Sequence, residues 1–301
     1  DQLIRLSGGR VAAVDLDESR LAIALEHGAE VAINPNEQDL TAALREWADG
    51  VGIDGSLIAY ARFIGPSEEP TAVAYVYDLD SGESTRIGQG SPLEFTPDGD
   101  AVLITISGDE DNDYRTDVGI LEPGTRPSLI EDGYSPVLAP DGESFAFVRD
   151  EGGEESYEPA IFVAPVGGTG EEVRVVEGES PVFSPDGRTL AYTREEGEEE
   201  DSETVLRLVD LETGEDERLG EGFEPVFSPD GSTLMFSRSV ELSDSYLEEL
   251  RMIDLESREE FKLAEGEDGV FSEDGEQVTY IRDVGDETWE PIIHVVEVEN
   301  G

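Results

Sequence analysis

The chain has 301 residues, of which 74 are aspartate or glutamate and 19 are lysine or arginine, so its formal net charge is -55. This charge excludes nucleic acid as an expected partner, because phosphate binding needs basic stripes that are missing here. The absence of cysteine excludes disulfides and thiolate metal sites, and no apolar stretch approaches the roughly 20 residues of a membrane-spanning helix.

The first predicted element is a strand over residues 1–8. Its segment, DQLIRLSGG, has the same form as EDERLGEG, which begins at Glu215 and leads from a Thr-Gly turn into a later repeat. The chain ends in HVVEVENG, at a matching turn, without such a strand. We therefore predict that residues 1–8 pair with the last repeat and leave no unpaired edge there. The same pairing between molecules would join copies by strand donation.

Residues 5–25 align without a gap with residues 218–238. In this alignment Asp17 takes the place of Asp230, an aspartate in a tight turn, but glutamate replaces the glycine that follows it. The alignment predicts a degenerate first repeat over residues 9–48.

The segment from residue 10 to residue 55, RVAAVDLDESRLAIALEHGAEVAINPNEQDLTAALREWADGVGIDG, also resembles part of the nucleotide-binding half of zinc-type alcohol dehydrogenases. The resemblance implies that Asp15, at a strand end, would hold the cofactor ribose. That family's glycine-rich phosphate loop and cysteine zinc ligands are absent from this chain. We therefore expect residues 10–55 to follow the repeat and to bind no cofactor. The alternative is that this segment has a dehydrogenase-like fold.

Further copies of the repeat follow, each with an Asp-Gly turn. Four of them nearly superimpose: SPVLAPDGESFAFVRD, SPVFSPDGRTLAYTRE, EPVFSPDGSTLMFSRS and DGVFSEDGEQVTYIRD. Proline presets φ in such a turn, aspartate bonds its own backbone and glycine accepts positive φ. The turn aspartates lie 43 to 45 residues apart, at Asp54, Asp98, Asp141, Asp186, Asp230 and Asp274.

Each copy reads as four short strands, and a repeat of about 40–50 residues with four strands is a propeller blade. The Ser-Pro-Asp-Gly turn, followed by an apolar strand that ends near an arginine, resembles the TolB-like propeller family. Similar propellers form the N-terminal part of prolyl-oligopeptidase relatives. We predict an all-β fold, a single seven-bladed β-propeller domain closed by residues 1–8. The predicted blades are residues 9–48, 49–90, 91–134, 135–179, 180–223, 224–267 and 268–301.

Five blades carry an arginine eight residues after the turn aspartate: Arg62, Arg149, Arg194, Arg238 and Arg282. The planar guanidinium group suits ion pairs and carbonyl contacts, so we predict that these arginines link each blade to its neighbour. The alternative is a ring of cations around the central channel that binds an anion.

The loops after these arginines are long and acidic: residues 107–117, 149–159, 194–203 and 282–291. They share a propeller face with the links between blades. Aromatic residues are interspersed on this face, namely Phe63, Tyr114, Tyr157, Tyr246 and Trp289. The pattern predicts either a partner-binding face or a solvated acidic surface.

Asp109, Asp111 and Asp113 alternate in one of these loops, and their oxygens suit Ca²⁺ or Mg²⁺. The glycine and the closing glutamate of an EF-hand loop are missing. We predict no catalytic residues, because the chain has no Gly-x-Ser-x-Gly turn and only two histidines, His27 and His294, far apart in sequence.

Lys262 is the only lysine. A surface rich in carboxylates and poor in lysine resembles the proteins of extremely halophilic archaea. At molar salt the Debye length is only about 3 Å, so repulsion among the carboxylates is largely screened. The aspartate at position 1, in place of an initiator methionine, and the likeness to exported TolB-like proteins favour an extracellular or cell-surface location, with the cytoplasm as the alternative.

These observations predict a non-enzymatic binding or assembly module whose acidic loop face contacts a protein partner, a ligand or a second copy. One alternative is the propeller domain of a prolyl-oligopeptidase-like serine peptidase whose hydrolase part lies outside this chain. Another is a filament subunit that polymerises by strand donation.

Overall fold

The computed structural model of the protein is all-β in the residues that it describes. The chain divides into two compact units, Asp1–Glu131 and Asp132–Gly301. The structure describes residues 2–6, 10–14, 31–34, 57–64, 71–78, 81–89, 91–97, 101–107, 116–121, 128–152, 156–167, 171–197, 202–241, 246–283 and 291–298.

In its described residues the first unit holds three sheets, with strand orders β1-β2-β3, β4-β5-β6 and β7-β8-β9-β10. The last two sheets are antiparallel throughout. The strands are β1 (Gln2–Leu6), β2 (Arg10–Val14), β3 (Val31–Ile33), β4 (Leu57–Ile64), β5 (Thr71–Asp78), β6 (Ser84–Gln89), β7 (Ser91–Phe95), β8 (Val102–Ser107), β9 (Thr116–Leu121) and β10 (Ser128–Ile130).

The N-terminal sheet departs from the blade predicted over residues 9–48. Strand β2 pairs in parallel with β3, with Ala12 opposite Val31, whereas the repeat predicts antiparallel neighbours. A parallel pair needs a connection of about a dozen residues or more, and residues 15–30 supply that length. The seventh copy of the repeat is therefore not confirmed, and neither is the count of seven blades.

Closure by the N-terminal strand is not confirmed either. Strand β1 pairs with β2 in antiparallel register, with Leu6 opposite Arg10. The link over residues 7–9 is short enough for a hairpin, which makes β2 the nearest partner along the chain. The described strands of the last sheet do not include β1.

The second unit holds four antiparallel sheets in its described residues, with strand orders β11-β12-β13-β14, β15-β16-β17-β18, β19-β20-β21-β22 and β23-β24-β25. The strands are β11 (Tyr134–Leu138), β12 (Ser144–Asp150), β13 (Pro159–Pro165), β14 (Val173–Glu177), β15 (Glu179–Phe183), β16 (Thr189–Glu196), β17 (Glu203–Asp210), β18 (Asp216–Glu221), β19 (Phe223–Phe227), β20 (Thr233–Glu241), β21 (Tyr246–Asp254), β22 (Glu260–Glu265), β23 (Glu267–Phe271), β24 (Gln277–Asp283) and β25 (Pro291–Glu297). Three complete four-stranded sheets thus follow one another, as the repeat predicts.

In the second unit, β16 and β20 are buried on both faces, because a sheet of the same unit packs on either side of each. In β16, Leu190 and Tyr192 join a cluster with Ala146 and Val148 of the preceding sheet. Ala191, between them in sequence, joins a cluster with residues of the following sheet. Side chains alternate between the two faces of a strand, so a continuous apolar run supplies residues to both interfaces. Burial of each large apolar side chain stabilises the folded state by about 1.5–3 kcal/mol.

The Pro-Asp-Gly turns make the bonds that the repeat predicts. The Ser184 hydroxyl donates to Asp186 Oδ1 at 2.7 Å, and the Arg188 N–H donates to the same oxygen at 3.1 Å. Gly187 has a φ of 71°. The two bonds lower the pKa of the Asp186 carboxyl, because they stabilise its charged form. The same bonds recur at Asp230 and Asp274.

Candidate functional site

One end of each sheet in the second unit carries both the second-to-third strand loop and the link to the neighbouring sheet. The register shows this in the first of them, where Tyr134 lies opposite Val148, Asp150 opposite Pro159 and Ala160 opposite Glu177. We call this end, with the loops that leave it, the loop end. It is the acidic face that the sequence predicts.

The first loop of the loop end is held by its own carboxylate. Asp150 Oδ1 accepts hydrogen bonds from the backbone N–H groups of Gly152, at 2.9 Å, and Glu158, at 2.8 Å. The Glu151 N–H donates to the Glu158 carbonyl at 2.9 Å. These bonds fix the loop on both sides of residues 153–155, and Tyr157 directly precedes the bonded Glu158.

Tyr157 meets a second tyrosine and a glutamate at the loop end. Its hydroxyl oxygen lies 2.7 Å from that of Tyr134 and is hydrogen-bonded to Glu179 Oε1. Tyr157 is nevertheless 61% exposed. Tyr134 and Glu179 are the first residues of β11 and β15, the first strands of two consecutive sheets. Two sheets and a loop therefore build one polar cluster with an open aromatic face, which we call the tyrosine cluster.

Burial and neighbouring negative charges raise the pKa values of two carboxylates at the loop end. Burial raises the pKa of the Glu179 carboxyl, and the charge of Glu195 raises it further. Burial, followed by the charges of Glu267 and Glu224, raises the pKa of Glu248. Each negative charge here makes its neighbour harder to ionise, so a cation at the loop end would relieve an existing repulsion.

The predicted arginines of the second unit lie at the loop end, and three contact the preceding sheet. Arg194 lies 3.2 Å from Glu177 and Arg282 3.0 Å from Glu265, both at the end of a fourth strand. Arg238 donates from Nε and Nη2 to the Glu221 carbonyl at 3.0 and 2.7 Å. Arg149 makes a bidentate pair with Glu172, the residue before the fourth strand of its own sheet, at 3.0 and 2.8 Å. Their role in stability stays a prediction.

Several predicted site residues lie outside the described part of the structure. Asp109, Asp111 and Asp113 are among them, as are Tyr114, Trp289 and His27. Arg62 and Phe63 lie in β4, and Tyr246 begins β21. Within the described residues no group of three or more histidine, aspartate or glutamate side chains is arranged to hold a metal ion. Over that same part of the chain, no helix is long and apolar enough to cross a membrane.

Sequence reasoning missed a glycine at each junction between sheets of the second unit. Gly178, Gly222 and Gly266 have φ values of 146°, 155° and 149°. A Cβ at Gly222 would lie 2.5 Å from the Phe236 ring and 2.9 Å from Leu206. The signal was present in the sequence, since these glycines recur every 44 residues, but their neighbours become visible only in the packed structure.

No protein-family model matches this chain, and no curated protein sequence matches it either. Solved structures do match. An oligogalacturonate lyase in complex with manganese has a TM-score of 0.56 and 18% identity over 81% of this chain and 72% of that one. The acylaminoacyl peptidase of Pyrococcus horikoshii has a TM-score of 0.54 and 14% identity over 82% of this chain.

The β-propeller domain of the Trilobed protease from Pyrococcus furiosus, described as having an open velcro topology, matches with a TM-score of 0.51 and 18% identity, over 70% of this chain and 69% of that one. These likenesses, together with the four-stranded antiparallel sheets, confirm the β-propeller fold that the TolB-like resemblance implies. The chain spans only 45% of the acylaminoacyl peptidase. The resemblance of residues 10–55 to alcohol dehydrogenases stays a prediction.

Proposed function

We propose that this β-propeller chain is a binding or assembly module whose acidic loop end receives a positively charged segment of a partner protein. The observation that carries the proposal is the tyrosine cluster, in which the exposed Tyr157 ring stands beside the Glu179 carboxylate. An aromatic face next to a carboxylate attracts a guanidinium or ammonium group in two ways. The ring offers a cation–π contact, and the carboxylate offers a charge-assisted hydrogen bond.

Electrostatics supports a cationic partner over an anionic one. The chain carries 74 acidic side chains against 19 lysines and arginines, and at Glu179 and Glu248 the neighbouring negative charges add to the effect of burial in raising the pKa. Four loop-end arginines already face a carboxylate or carbonyl oxygen. An anion would therefore compete with existing partners, whereas a cation would meet unneutralised carboxylates.

The proposal is tested by titrating a fluorescent hexa-arginine peptide into the full chain at molar KCl. Joint substitution of Tyr157→Ala and Glu179→Gln should weaken binding about tenfold, since it removes one cation–π contact and one ion pair of up to about 1 kcal/mol each. The matched control is Glu212→Gln, at an exposed glutamate in a turn at the opposite end of the sheet. An equal loss in the control would mean that the peptide senses only net charge and would contradict the proposal.

A second candidate function is that of a peptidase propeller domain. The likenesses to the Trilobed protease and to the acylaminoacyl peptidase favour it, and this chain spans less than half of the latter. A Gly-x-Ser-x-Gly turn, with its aspartate and histidine partners, in the complete reading frame would support this candidate. If the complete reading frame has no such turn, the peptidase candidate fails and the binding-module proposal stands.

The halophilic archaeal origin and the extracellular or cell-surface location also remain proposals. The origin rests on the charge of -55 and the single lysine, and the location rests on the resemblance to exported TolB-like proteins. We propose the seven-bladed count and a cation bound at Asp109, Asp111 and Asp113 as well. A calcium titration of the full chain, followed through its melting temperature, tests whether these three aspartates bind a cation.

A further inference from the structure

An arginine, an aromatic ring and a carboxylate meet repeatedly in the sheets of the second unit. The Arg238 guanidinium lies 5.3 Å from the centre of the Phe236 ring. Its Nη1 and Nη2 donate to the two oxygens of Glu260 at 2.7 and 3.2 Å. The ring acts as a cation–π partner and the carboxylate as a forked hydrogen-bond acceptor, so both hold the same arginine.

The first complete sheet of this unit repeats the arrangement. The Arg149 guanidinium lies 5.3 and 5.0 Å from the centres of the Phe147 and Phe162 rings. Both of its terminal nitrogens donate to Glu172, at 3.0 and 2.8 Å. The same three chemical groups therefore meet at the second strands of two different sheets.

A tyrosine takes the place of the phenylalanine in the sheet between these two. The Tyr192 hydroxyl donates to Asp216 Oδ1 at 2.8 Å. Arg207 Nε lies 3.1 Å from that hydroxyl oxygen and 2.9 Å from Asp216 Oδ1. A tyrosine that is hydrogen-bonded to a carboxylate is thus completed by an arginine of its own sheet.

The tyrosine cluster has the ring and the carboxylate but no such arginine among the described residues. The Tyr157 hydroxyl donates to Glu179 Oε1, and the Tyr134 hydroxyl lies 3.5 Å from the same oxygen. In the part of the chain that the structure describes, no hydrogen bond reaches Glu179 Oε2 and no lysine or arginine pairs with this carboxylate. Tyr157 is also 61% exposed. One carboxylate oxygen and one aromatic residue are therefore available to a cation from solvent.

A guanidinium group suits this site better than an ammonium group. The guanidinium is planar and weakly hydrated, so it stacks on a ring while its N–H groups reach a carboxylate. An ammonium group is a strongly hydrated point charge, and in molar KCl its attraction to a carboxylate is screened. The chain itself follows this rule. Lys262 bonds the carboxylates of Glu249 and Glu265, whereas the cation–π contacts of the described residues are made by arginine.

We propose that the tyrosine cluster is an arginine site, in which a guanidinium group of the partner lies on the Tyr157 ring and donates to Glu179 Oε2. This inference rests on the proposed function and names the cation that the site selects. Tyr134 is a positioning residue, since its hydroxyl oxygen lies 2.7 Å from that of Tyr157 and holds the ring beside the carboxylate. A lysine-rich segment of equal charge binds more weakly.

The test compares fluorescent hexa-arginine and hexa-lysine peptides, titrated into the full chain in 2 M KCl. We expect hexa-arginine to bind about fivefold more tightly, because only the guanidinium gains the stacking contact. Tyr157→Leu should abolish this preference, since it removes the ring and keeps an apolar side chain. Tyr157→Phe should retain the preference, since it keeps the ring.

The matched control is Phe261→Leu, which removes a ring that is 42% exposed in β22. It should leave the preference for arginine unchanged, and circular dichroism checks that each variant is folded. A preference that persists in Tyr157→Leu would assign it to another surface and overturn the proposal.

Two further outcomes separate this inference from the proposed function. Equal affinity for the two peptides, with both weakened by the joint substitution Tyr157→Ala and Glu179→Gln, would overturn the arginine site and leave the cationic partner standing. If neither peptide responds to that joint substitution, the proposed function fails and the arginine site fails with it.

Discussion

The junction glycines show how one atom decides whether two sheets can pack. Gly222 lies between β18 and β19, and its φ of 155° is one that side-chain-bearing residues rarely adopt. Because it has no Cβ, the Phe236 ring of the following sheet comes to within 2.5 Å of where that atom would be. Gly178 and Gly266 face Tyr192 and Tyr280 in the same way. Each of these junctions therefore depends on a glycine below an aromatic ring.

We predict that Gly222→Ala lowers the free energy of unfolding by about 2–5 kcal/mol, the sum of backbone strain and overpacking. The matched control is Gly214→Ala, whose φ of 72° is also positive but whose Cβ would meet nothing within 4 Å. It should cost only about 1–2 kcal/mol of strain. Thermal unfolding in molar KCl measures both variants. Equal losses would show that the ring contact does not matter.

At the scale of the element, the arginine at the end of a second strand ties one sheet to the next. Arg238 is the best example, since it bonds the Glu221 carbonyl of the preceding sheet through two nitrogens and Glu260 of its own sheet at 2.7 Å. Its guanidinium also lies 5.3 Å from the centre of the Phe236 ring. The spacing of the arginines was readable from the sequence. Their partners were not, because a carbonyl oxygen has no sequence signature.

We predict that Arg238→Lys lowers the free energy of unfolding by about 1–2 kcal/mol, because an ammonium group cannot make the forked contact. The matched control is Arg174→Lys, which alters a more exposed arginine paired with Glu151 inside one sheet. There the loss should stay below about 0.5 kcal/mol. Melting temperatures in molar KCl compare the two, and a larger shift for Arg174→Lys would refute the linking role.

For the whole molecule, the dominant quantity is the net charge of -55. With 74 acidic side chains and 19 lysines and arginines, most carboxylates cannot have a basic partner of their own. Screening by salt must therefore replace the missing cations.

We predict that the fold loosens as KCl falls from 2 M to about 10 mM, where the Debye length grows to about 30 Å. The β-sheet signal in circular dichroism should decrease and should recover when KCl is restored. Sucrose at equal osmolality is the control and should not restore it, since it carries no charge. A spectrum that is unchanged between the two salt concentrations would contradict the prediction.

The sequence by itself determined the repeated sheets of the second unit. Their strands and Pro-Asp-Gly turns follow from local properties, namely alternation of apolar residues, the φ of glycine and the bonds that Asp186 makes to its own turn. Such properties act over a few residues and recur in every copy, so a single sequence reveals them.

Only the tertiary structure decided the pairing at the N-terminus and the assembly of the tyrosine cluster. Residues 10–14 fit the repeat in sequence, yet β2 pairs in parallel with β3, because strand pairing depends on which strands meet and not on the strand's own residues. Tyr134, Tyr157 and Glu179 lie up to 45 residues apart and carry no shared motif. Packing of consecutive sheets brings them together, and contacts at that distance leave no local pattern to read.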